Sequence, residues 1–389
     1  MNVLISGGGL AGLTLAYWLK RYGITPVVIE EAPGMRHDGY GLDFFGTGYD
    51  VADRMGLIDW LKARKIPARY VSYVDAHSRL IAKLDMSLME RVMYGHYMPL
   101  MHWTLEEALY NAVKDDVEIR FGCTLQAVDQ DADGVSVTFS DGRQERFDLL
   151  VGCDGIHSNT RQLVFGPEKD FGRYMGYYVA CYPLPDRYGI GQTWQNYTEP
   201  TRQVGLYCSN NDGEVITFFM NEAPDQGHIP MAERLPYLRR AFAGMDWITA
   251  RLLDDIPDPN TIYMDTVTQI QMPSWHQGRV ALVGDAAYCL TLISGQGASM
   301  ALGGAYVLAQ ALRDHGADHE AAFRSYEAFM REPIESRQKG ARDFAKTFVP
   351  GSRLGLFLQR LLFKIVLRPA FIGLLRKQFG AGSILPPAS

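Results

Sequence analysis

Two short segments late in the chain combine residue types that could bind a sugar and an electron-rich ring. An apolar run at 280–283 is typical of a buried strand, and it ends in Gly284-Asp285. A second segment, Gly295-Gln296-Gly297-Ala298, opens an Ala/Leu-rich helical pattern that continues to about residue 312. A carboxylate at the carboxyl end of a strand suits a sugar hydroxyl, and the amides at a helix start suit an electron-rich ring.

The beginning of the chain has the order of a nucleotide-binding βαβ unit. Residues 2–6 predict a buried strand, 13–21 a helix and 25–29 a second strand. The first strand and the helix are joined by a GxGxxG motif, Gly7-Gly8-Gly9-Leu10-Ala11-Gly12. Such glycines allow a tight turn, a close approach of backbone amides to a pyrophosphate, and close packing of helix on strand. The complete unit therefore predicts a dinucleotide site.

An acidic pair, Glu30-Glu31, follows the second strand of this unit. A carboxylate at this point accepts hydrogen bonds from the adenosine ribose and favours a free 2′-hydroxyl. The predicted ligand at this site is therefore FAD or NAD rather than NADP.

A third strand-to-loop segment lies in the middle of the chain. The segment that begins at Asp148 contains an apolar strand and runs into Asp154-Gly155, and Ser158 and Arg161 follow in the predicted turn or helix. The segment could be a plain strand-to-helix turn with a capping serine. Its position also suits a second loop that meets the dinucleotide.

The region 173–221 is rich in short strands and aromatic residues, which predicts an antiparallel sheet. Alternation places Trp194 and Asn196 on one face, and Phe218 and Met220 on one face of a neighbouring strand. These side chains could simply form the core of the sheet. Alternatively, they could line a largely apolar substrate pocket with a few polar anchors.

Bulk composition excludes several classes of protein. The 389 residues include 47% hydrophobic and 21% charged residues, which are ordinary globular values, and the net charge of −6 argues against a nucleic-acid binder. The five cysteines form no CxxC pair, so we expect neither a disulfide framework nor a metal site, and a cytoplasmic location.

Two helical segments complete the pattern. Residues 104–113 predict a helix with a capping box formed by Thr104 and Glu107. A basic amphipathic helix is predicted from about residue 354, interrupted at Pro369. It could dock over the junction between domains, which we favour, or lie on a membrane surface. Its predicted basic face consists of Arg353, Arg360, Lys364 and Arg368.

The chain thus contains three glycine motifs: the first at 7–12, the second at Asp154-Gly155, and the third at Gly284-Asp285 with Gly295-Gln296-Gly297. In this order they resemble the motifs of the class A FAD-dependent monooxygenases, the aromatic hydroxylases related to para-hydroxybenzoate hydroxylase and to tetracycline-degrading monooxygenases. The resemblance spans residues 4 to about 312. It implies an α/β fold with a Rossmann-like FAD-binding domain, an antiparallel-sheet substrate domain and C-terminal helices. The expected divisions are 1–68, 100–172 and 275–330 for FAD binding, 69–99 and 173–274 for substrate, and 331–389 for the helices.

The resemblance also implies roles for individual residues. Glu30 would hold the adenosine ribose, Asp285 the ribityl chain of a noncovalent FAD, and Asp154 with Gly155 both FAD and NAD(P)H. Arg36 sits where the family often has an arginine of the mobile-flavin region. The amides of Gly297 and Ala298 would face the N1/C2 carbonyl edge of the flavin, and we single out no catalytic acid or base.

The activity that the resemblance implies is hydroxylation of an aromatic or polyketide-like small molecule with NADPH or NADH and O2. The flavin C4a-hydroperoxide would transfer one oxygen atom to the substrate, so the protein need only position the substrate and exclude water. A flavin reductase without oxygen insertion, and a non-catalytic flavoprotein that sequesters a small molecule, remain alternatives.

The sequence departs from the family pattern at four positions. Tyr288 stands where the family usually has histidine, and Leu290 and Leu292 stand where it usually has prolines. His102 occupies the position of an arginine, three residues before Leu105. Because a cation at this position would lie near the diphosphate or the ribityl chain, we include His102 among the expected cofactor residues.

Overall fold

The computed structural model of the chain describes residues 1–35, 39–211, 213–291, 294–366 and 382–386, with backbone only at 342–348 and 364–366. Strands and helices are numbered in chain order. The described strands are β1 Asn2–Ser6, β2 Thr25–Glu30, β3 Gly41–Phe45, β4 Tyr70–Val74, β5 Leu80–Asp85, β6 Tyr97–Met101, β7 Glu118–Phe121, β8 Leu125–Gln130, β9 Val135–Phe139, β10 Gln144–Phe147, β11 Leu149–Gly152, β12 Gly172–Pro185, β13 Thr193–Glu199, β14 Arg202–Cys208, β15 Glu214–Glu222, β16 Tyr263–Ile270, β17 His276–Gln277 and β18 Val280–Leu282. The described helices are α1 Leu10–Arg21, α2 Thr47–Arg54, α3 Ile58–Lys62, α4 Met86–Val92, α5 His102–Asn111, α6 Asn159–Val164, α7 Met231–Ala241, α8 Thr249–Asp254, α9 Asp285–Tyr288, α10 Gly297–His315, α11 His319–Phe348 and α12 Arg353–Val366.

A six-stranded sheet of order β17-β18-β11-β1-β2-β7 forms the first half of the fold. All its pairings are parallel except that of β17 with β18. The strands are almost continuously apolar because helices α1 and α10 cover one face and the small sheet β10-β9-β8 packs against the other. The strands that the sequence predicted at 2–6, 25–29, 148–153 and 280–283 therefore lie side by side.

A seven-stranded sheet of order β16-β12-β15-β14-β13-β4-β5 forms the second half. Its pairings are antiparallel apart from β13 with β4. One face packs against α7 and α8 through a core that includes Tyr182, Phe219 and Leu252. The opposite face, with Trp194, Tyr207 and Phe218, turns towards the loop before β3. The mixed α/β architecture with an antiparallel sheet and C-terminal helices is as the sequence predicted.

Helix α12 lies against β5 and β13. Its inner side carries Leu356 and the buried Gln359, and the ring of Phe363 lies 4.5 Å from that of Tyr73. The apolar residues on its outer side are exposed: Leu354, Phe357, Leu358, Leu361 and Leu362. The helix is therefore docked on the sheet while keeping an apolar outer row, so the membrane-surface alternative stays a prediction. Residues 367–381, with Arg368 and Pro369, lie outside the described residues.

Among the described helices, none combines the length and the apolar character that crossing a lipid bilayer requires.

The predicted capping box at Thr104 is wrong. Helix α5 begins two residues earlier, at His102, with Met101 as its N-cap. Thr104 is buried inside the first turn, where its hydroxyl accepts a hydrogen bond from Asn210 Nδ2 (3.0 Å). Pairing of β6 with β3 carries the extended backbone directly into the helix, so tertiary contacts override the local capping signal.

Two further expectations about strands need correction. The strands of Trp194 and Phe218 are not neighbours, because β14 lies between β13 and β15. The glycines at positions 39 and 41 are typical of a loop, but Gly41–Phe45 forms β3 and pairs with β6. In both cases the partner strand comes from elsewhere in the chain, which a local pattern does not reveal.

Tyr288, at the position where histidine was expected, belongs to the core between the first sheet and its helices. It is 2% exposed, and its hydroxyl lies 3.3 Å from that of Tyr326, which donates to the carbonyl of Leu282. An ideal Cβ at Gly304 of α10 would lie only 1.9 Å from Tyr288 Oη. The tyrosine therefore requires a glycine on the facing helix. Leu290 is likewise buried, and Leu292 lies outside the described residues.

This packing predicts opposite effects for two identical substitutions. Gly304→Ala should lower the free energy of unfolding by about 1–3 kcal/mol, because overpacking outweighs the gain in helix propensity. Gly340→Ala on α11, where no described atom lies within 4 Å of the new Cβ, should raise it by up to about 1 kcal/mol. Urea unfolding measures both.

Adding Tyr288→Phe to Gly304→Ala should recover part of the lost stability, because it removes the oxygen that the new Cβ would meet. An equal loss in the double and the single variant would contradict this explanation.

Candidate functional site

The site begins where β1 and β11 end side by side. Gly7 follows β1 with φ +107°, and an ideal Cβ there would lie 2.5 Å from the carbonyl oxygen of Cys153 and 2.9 Å from Cα of Asp154. The amide of Cys153 also donates to the carbonyl of Ser6 (2.7 Å). Only a glycine allows the first motif to approach the second so closely.

The third motif joins the same edge of the sheet through α1 and α6. An ideal Cβ on Gly284 would lie 3.1 Å from Cβ of Ala11. Arg161, fully buried, donates to the carbonyls of Ala286 (3.0 Å) and Ile156 (2.6 Å). The structure thus brings together the glycine motifs that the sequence holds up to 290 residues apart, and Arg161 ties two of them to each other.

Two helix N-termini at this edge have no side-chain cap. Helix α1 starts after Gly9 and α10 after Gln296, and neither has an acidic residue in its first turn. Among the described residues, an ideal Cβ on Gly9 would meet only Glu106 Oε1, at 3.6 Å, and one on Gly297 or Gly155 would meet nothing within 4 Å. Free amide donors beside open space fit a diphosphate at α1 and a flavin carbonyl edge at α10.

The acidic pair after β2 divides into an inner and an outer residue. The Glu30 carboxylate accepts from the amide of Gly8 (2.8 Å) and from that of Ala32 (2.9 Å), and it is half-buried. Each oxygen keeps a lone pair for a ribose hydroxyl. Glu31 is exposed at the strand end. The geometry therefore suits Glu30 for the ribose and leaves Glu31 outside.

Asp154 uses its carboxylate inside its own loop. One oxygen accepts from Ser158 Oγ (2.5 Å), and the other from the amide and the hydroxyl of Thr160 (2.8 and 2.7 Å). These bonds fix the start of α6, where Ser158 is the N-cap. Asp154 therefore shapes the loop, and the neighbouring Gly155, with φ +75°, presents its backbone to open space.

His102 and Asp285 face each other across the site. Burial lowers the pKa of His102, but the Glu106 carboxylate, 3.6 Å from Nδ1, and the charge of Asp285 outweigh it and raise the pKa overall. Burial raises the pKa of Asp285, against the opposing effects of Cys289 and His102. A protonatable cation thus lies beside Glu106, which approaches Gly9 at the α1 N-terminus, and within electrostatic range of the carboxylate expected to hold the ribityl chain.

Asp43 is a site residue that sequence reasoning missed. It lies on β3, where Oδ1 accepts from the Tyr97 hydroxyl (2.6 Å), and an ideal Cβ on Gly295 would be 3.8 Å from Oδ2. Burial raises its pKa, and the bond from Tyr97 opposes that shift. The glycines flanking Tyr40 were the available signal, but only strand pairing places this carboxyl at the start of α10.

Tyr40 connects the two halves of the molecule. Its ring lies 5.6 Å from that of His102 and 5.3 Å from that of Tyr263 on β16. Tyr207 on β14 accepts from the amide of Gly41 (2.6 Å). The aromatic face of the seven-stranded sheet therefore stands directly against the loop that enters β3, beside Asp285.

The predicted substrate residues share that face. Cross-strand register aligns Asn196 with Gly205 and Gly205 with Phe218. Trp194 and Phe218 are half-buried, whereas Met220 is fully buried in a cluster that includes Val349. The exposed parts of the Trp194 and Phe218 rings thus form the accessible surface of this face beside the buried Asn196.

The remaining expected residues lie at the start of α10 or outside the described residues. Gln296 Oε1 accepts from Arg337 Nε of α11 (2.7 Å), which fixes the N-cap of α10 ahead of Gly297 and Ala298. Leu10 and Gly12 are buried in the first turn of α1. Arg36 falls in the segment 36–38 that the structure does not describe.

Comparison with known proteins identifies the family. The family model for an FAD-binding domain matches residues 1–180. A flavin-dependent monooxygenase of Legionella longbeachae is 30% identical over 346 residues, which cover 87% of each chain. An uncharacterised protein of Mycobacterium tuberculosis, Rv1260, is 35% identical over 342 residues, 87% of this chain and 91% of its own.

Solved structures show the same fold. The tetracycline destructase Tet(51) superimposes with a TM-score of 0.84 at 27% identity, covering 100% of this chain and 99% of its own. Klebsiella pneumoniae HpxO, complexed with FAD and uric acid, gives 0.82 at 24% identity over 98% and 97%, a likeness of fold alone. The resemblance drawn from the three motifs is confirmed: the chain belongs to the flavin-dependent monooxygenases, and its cofactor is FAD.

Proposed function

We propose that this protein uses NADPH or NADH and O2 to hydroxylate an aromatic or polyketide-like small molecule. The observation that carries the proposal is the position of the three glycine motifs, which meet at one sheet edge directly facing the aromatic face of the second sheet. Family membership supports the reaction class, and a tetracycline destructase among the similar structures supports a multi-ring substrate.

In this proposal the cofactor lies along the edge of the six-stranded sheet. The first-turn amides of α1 hold the diphosphate, Glu30 the adenosine ribose and Asp285 the ribityl chain. The amides of Gly297 and Ala298 stabilise negative charge on the ring. When bound, FAD supplies the redox chemistry that takes a hydride from NAD(P)H and passes one oxygen atom of O2 to the substrate.

In this proposal the seven-stranded sheet orients the substrate and excludes water from it. We assign 69–99 and 173–274 to substrate binding, 331–389 to the C-terminal helices, and 1–68, 100–172 and 275–330 to FAD binding. The aromatic face of the sheet is largely apolar with a buried amide, which is the composition of a small-molecule site.

A screen for compounds that accelerate NADPH oxidation tests the proposal, with tetracycline and uric acid in the first panel. A product heavier than the substrate by one oxygen atom, formed in step with NADPH loss, is the expected outcome. Stimulated oxidation with a reduced product would instead indicate a flavin reductase. Tight ligand binding without any NADPH consumption would indicate a sequestering protein.

Asp285→Ala should weaken FAD binding about tenfold to hundredfold, because it removes a charged acceptor for the ribityl hydroxyls. Titration of the apoprotein with FAD, followed by flavin fluorescence, measures the affinity. Asp53→Ala, at an exposed carboxylate on α2, is the matched control and should bind FAD as the wild type does. Equal affinity in Asp285→Ala would refute the placement of the ribityl chain.

His102→Arg should tighten FAD binding by roughly three- to tenfold, because it replaces a titrating cation with a permanent one. The pKa of His102 is raised, so its cationic contribution is present below that pKa and disappears as the pH rises through it. Wild-type FAD affinity should therefore fall with rising pH, while that of the arginine variant stays level. His102→Gln, as the neutral control, should bind weakly throughout; tighter binding by this variant than by wild type would contradict the placement.

Phe218→Ala should raise the substrate KM or uncouple NADPH oxidation from hydroxylation, with FAD content unchanged, because Phe218 borders the accessible space on the aromatic face. Phe329→Ala, at a phenylalanine 44% exposed on α11, is the control of the same residue type. Coupling ratios and flavin content of both variants are compared with wild type. Unaltered kinetics in a folded, flavin-loaded Phe218→Ala protein would show that this face points away from the substrate.

A further inference from the structure

The buried side-chain amide of Asn196 lies on the aromatic face. Its oxygen accepts two hydrogen bonds, whereas its NH2 group has no acceptor among the described residues. Asn196 on β13 is 4% exposed. Its Oδ1 accepts two hydrogen bonds, from Trp194 Nε1 (3.1 Å) and from Gln203 Nε2 (3.1 Å). Gln203 in turn accepts from the hydroxyl of Thr198 (3.4 Å).

The hydrogen-bond partners of Asn196 determine which atom of its side-chain amide is the oxygen and which is the nitrogen. An indole N–H can only donate, so the atom of Asn196 that faces Trp194 must be the oxygen. Trp194 is itself held by its stack on Tyr207, with ring centroids 4.3 Å apart. The NH2 group of Asn196 therefore points away from the indole and cannot flip without losing both bonds.

A glycine in the middle of the neighbouring strand makes this arrangement possible. An ideal Cβ on Gly205 would lie 2.9 Å from Asn196 Oδ1 and 3.2 Å from Trp194 Nε1. Glycine inside a central strand weakens the strand and often marks a close approach by another group. Here the approaching group is the hydrogen-bonded pair itself.

Neither N–H of Asn196 Nδ2 has an acceptor within the described part of the chain. The unpaired side-chain atoms that are fully enclosed there are Trp18 Nε1, Arg161 Nε, Asn210 Oδ1 and Thr291 Oγ1. Since Nδ2 is unpaired but is not one of these enclosed atoms, it keeps accessible surface. Water can therefore satisfy this donor in the free protein, and a bound ligand that displaces the water must supply an acceptor to avoid leaving a buried donor unpaired.

We propose that Asn196 selects the substrate by donating a hydrogen bond from Nδ2 to a ring-borne oxygen, a ketone carbonyl or a phenolate. The inference rests on the proposed function, because it places the substrate on this face. The half-buried rings of Trp194 and Phe218 beside the amide accept a planar aromatic body. The recognised ligand is thus a planar ring system that carries an acceptor oxygen, and a hydrocarbon of the same shape is rejected.

Matched ligand pairs test the inference without turnover. The FAD-loaded protein is titrated by calorimetry with xanthone and xanthene, 1-tetralone and tetralin, and 1-indanone and indane. Within each pair the probes differ by a carbonyl in place of a methylene. The ratio of the two Kd values, compared between variants, cancels differences in ligand hydration.

Asn196→Leu removes the donor, and Asn196→Asp, when ionised, replaces Nδ2 with an acceptor-only oxygen while keeping an oxygen near Trp194. Each should shift the Kd ratio about tenfold against the ketone. Thr198→Val is the control, because it removes a buried hydroxyl that donates to Gln203 in the same hydrogen-bond network. Since this variant keeps Asn196 Nδ2, its Kd ratio should stay within about twofold of the wild-type ratio. In the wild type, infrared difference spectra should show the bound ketone carbonyl at lower wavenumber than in an apolar solvent.

Equal ratios in wild type and the folded Asn196 variants would overturn the inference, as would an equal shift in Thr198→Val. An unshifted carbonyl band, or failure of every ketone to bind, would also overturn it; the infrared result decides if neither Asn196 variant folds. A normal ratio shift with no oxygenated product in the NADPH screen would refute the proposed function and leave the recognition intact. Oxygenation of a substrate without the shift in the Kd ratio would support the proposed function and overturn recognition by Asn196.

Discussion

The close approach of Gly7 to the backbone of Cys153 and Asp154 is the constraint on which the cofactor site depends. Parallel strands end at the same edge, but their loops diverge unless something small lets them meet. Gly7 provides that contact between β1 and β11, and Gly284 provides the next one by passing Ala11 on α1. A side chain at either glycine would move an amide that the site needs, so the glycines set the geometry before any ligand binds.

Charge at this edge is arranged around the uncapped helix ends. The first turns of α1 and α10 contain no acidic residue, while carboxylates stand at the sides, at Glu30, Glu106 and Asp285. His102 lies between Glu106 and Asp285, and their charges keep its pKa raised despite its burial. The edge therefore offers donors to phosphate and to the flavin ring and acceptors to sugar hydroxyls, which is the division that a dinucleotide requires.

The parts of the fold that the sequence could predict are those with local causes. The glycine motifs, Glu30 and Asp285 were identifiable because strand, turn and helix follow one another within about thirty residues. Asp43 was not, because its role arises from the pairing of β3 with β6 and from its distance to Gly295, 252 residues later. Likewise, the helix start at His102 and the separation of β13 from β15 depend on strands supplied by distant segments.

The two halves are joined by an apolar cluster that includes Met101, Trp103 and Ile216, and by polar contacts at the borders of the aromatic face. Tyr207 binds the amide of Gly41 at one border. At another, His157 bridges Glu168 (3.1 Å) and Asp265 on β16 (3.3 Å), and these carboxylates raise its pKa to about 10. Below that pH the ring is cationic and donates to both carboxylates; above it the neutral ring can donate to only one of them. Together, the apolar cluster and these polar contacts hold the aromatic face against the edge of the first sheet, which is the arrangement that the proposed placement of a substrate beside the flavin requires.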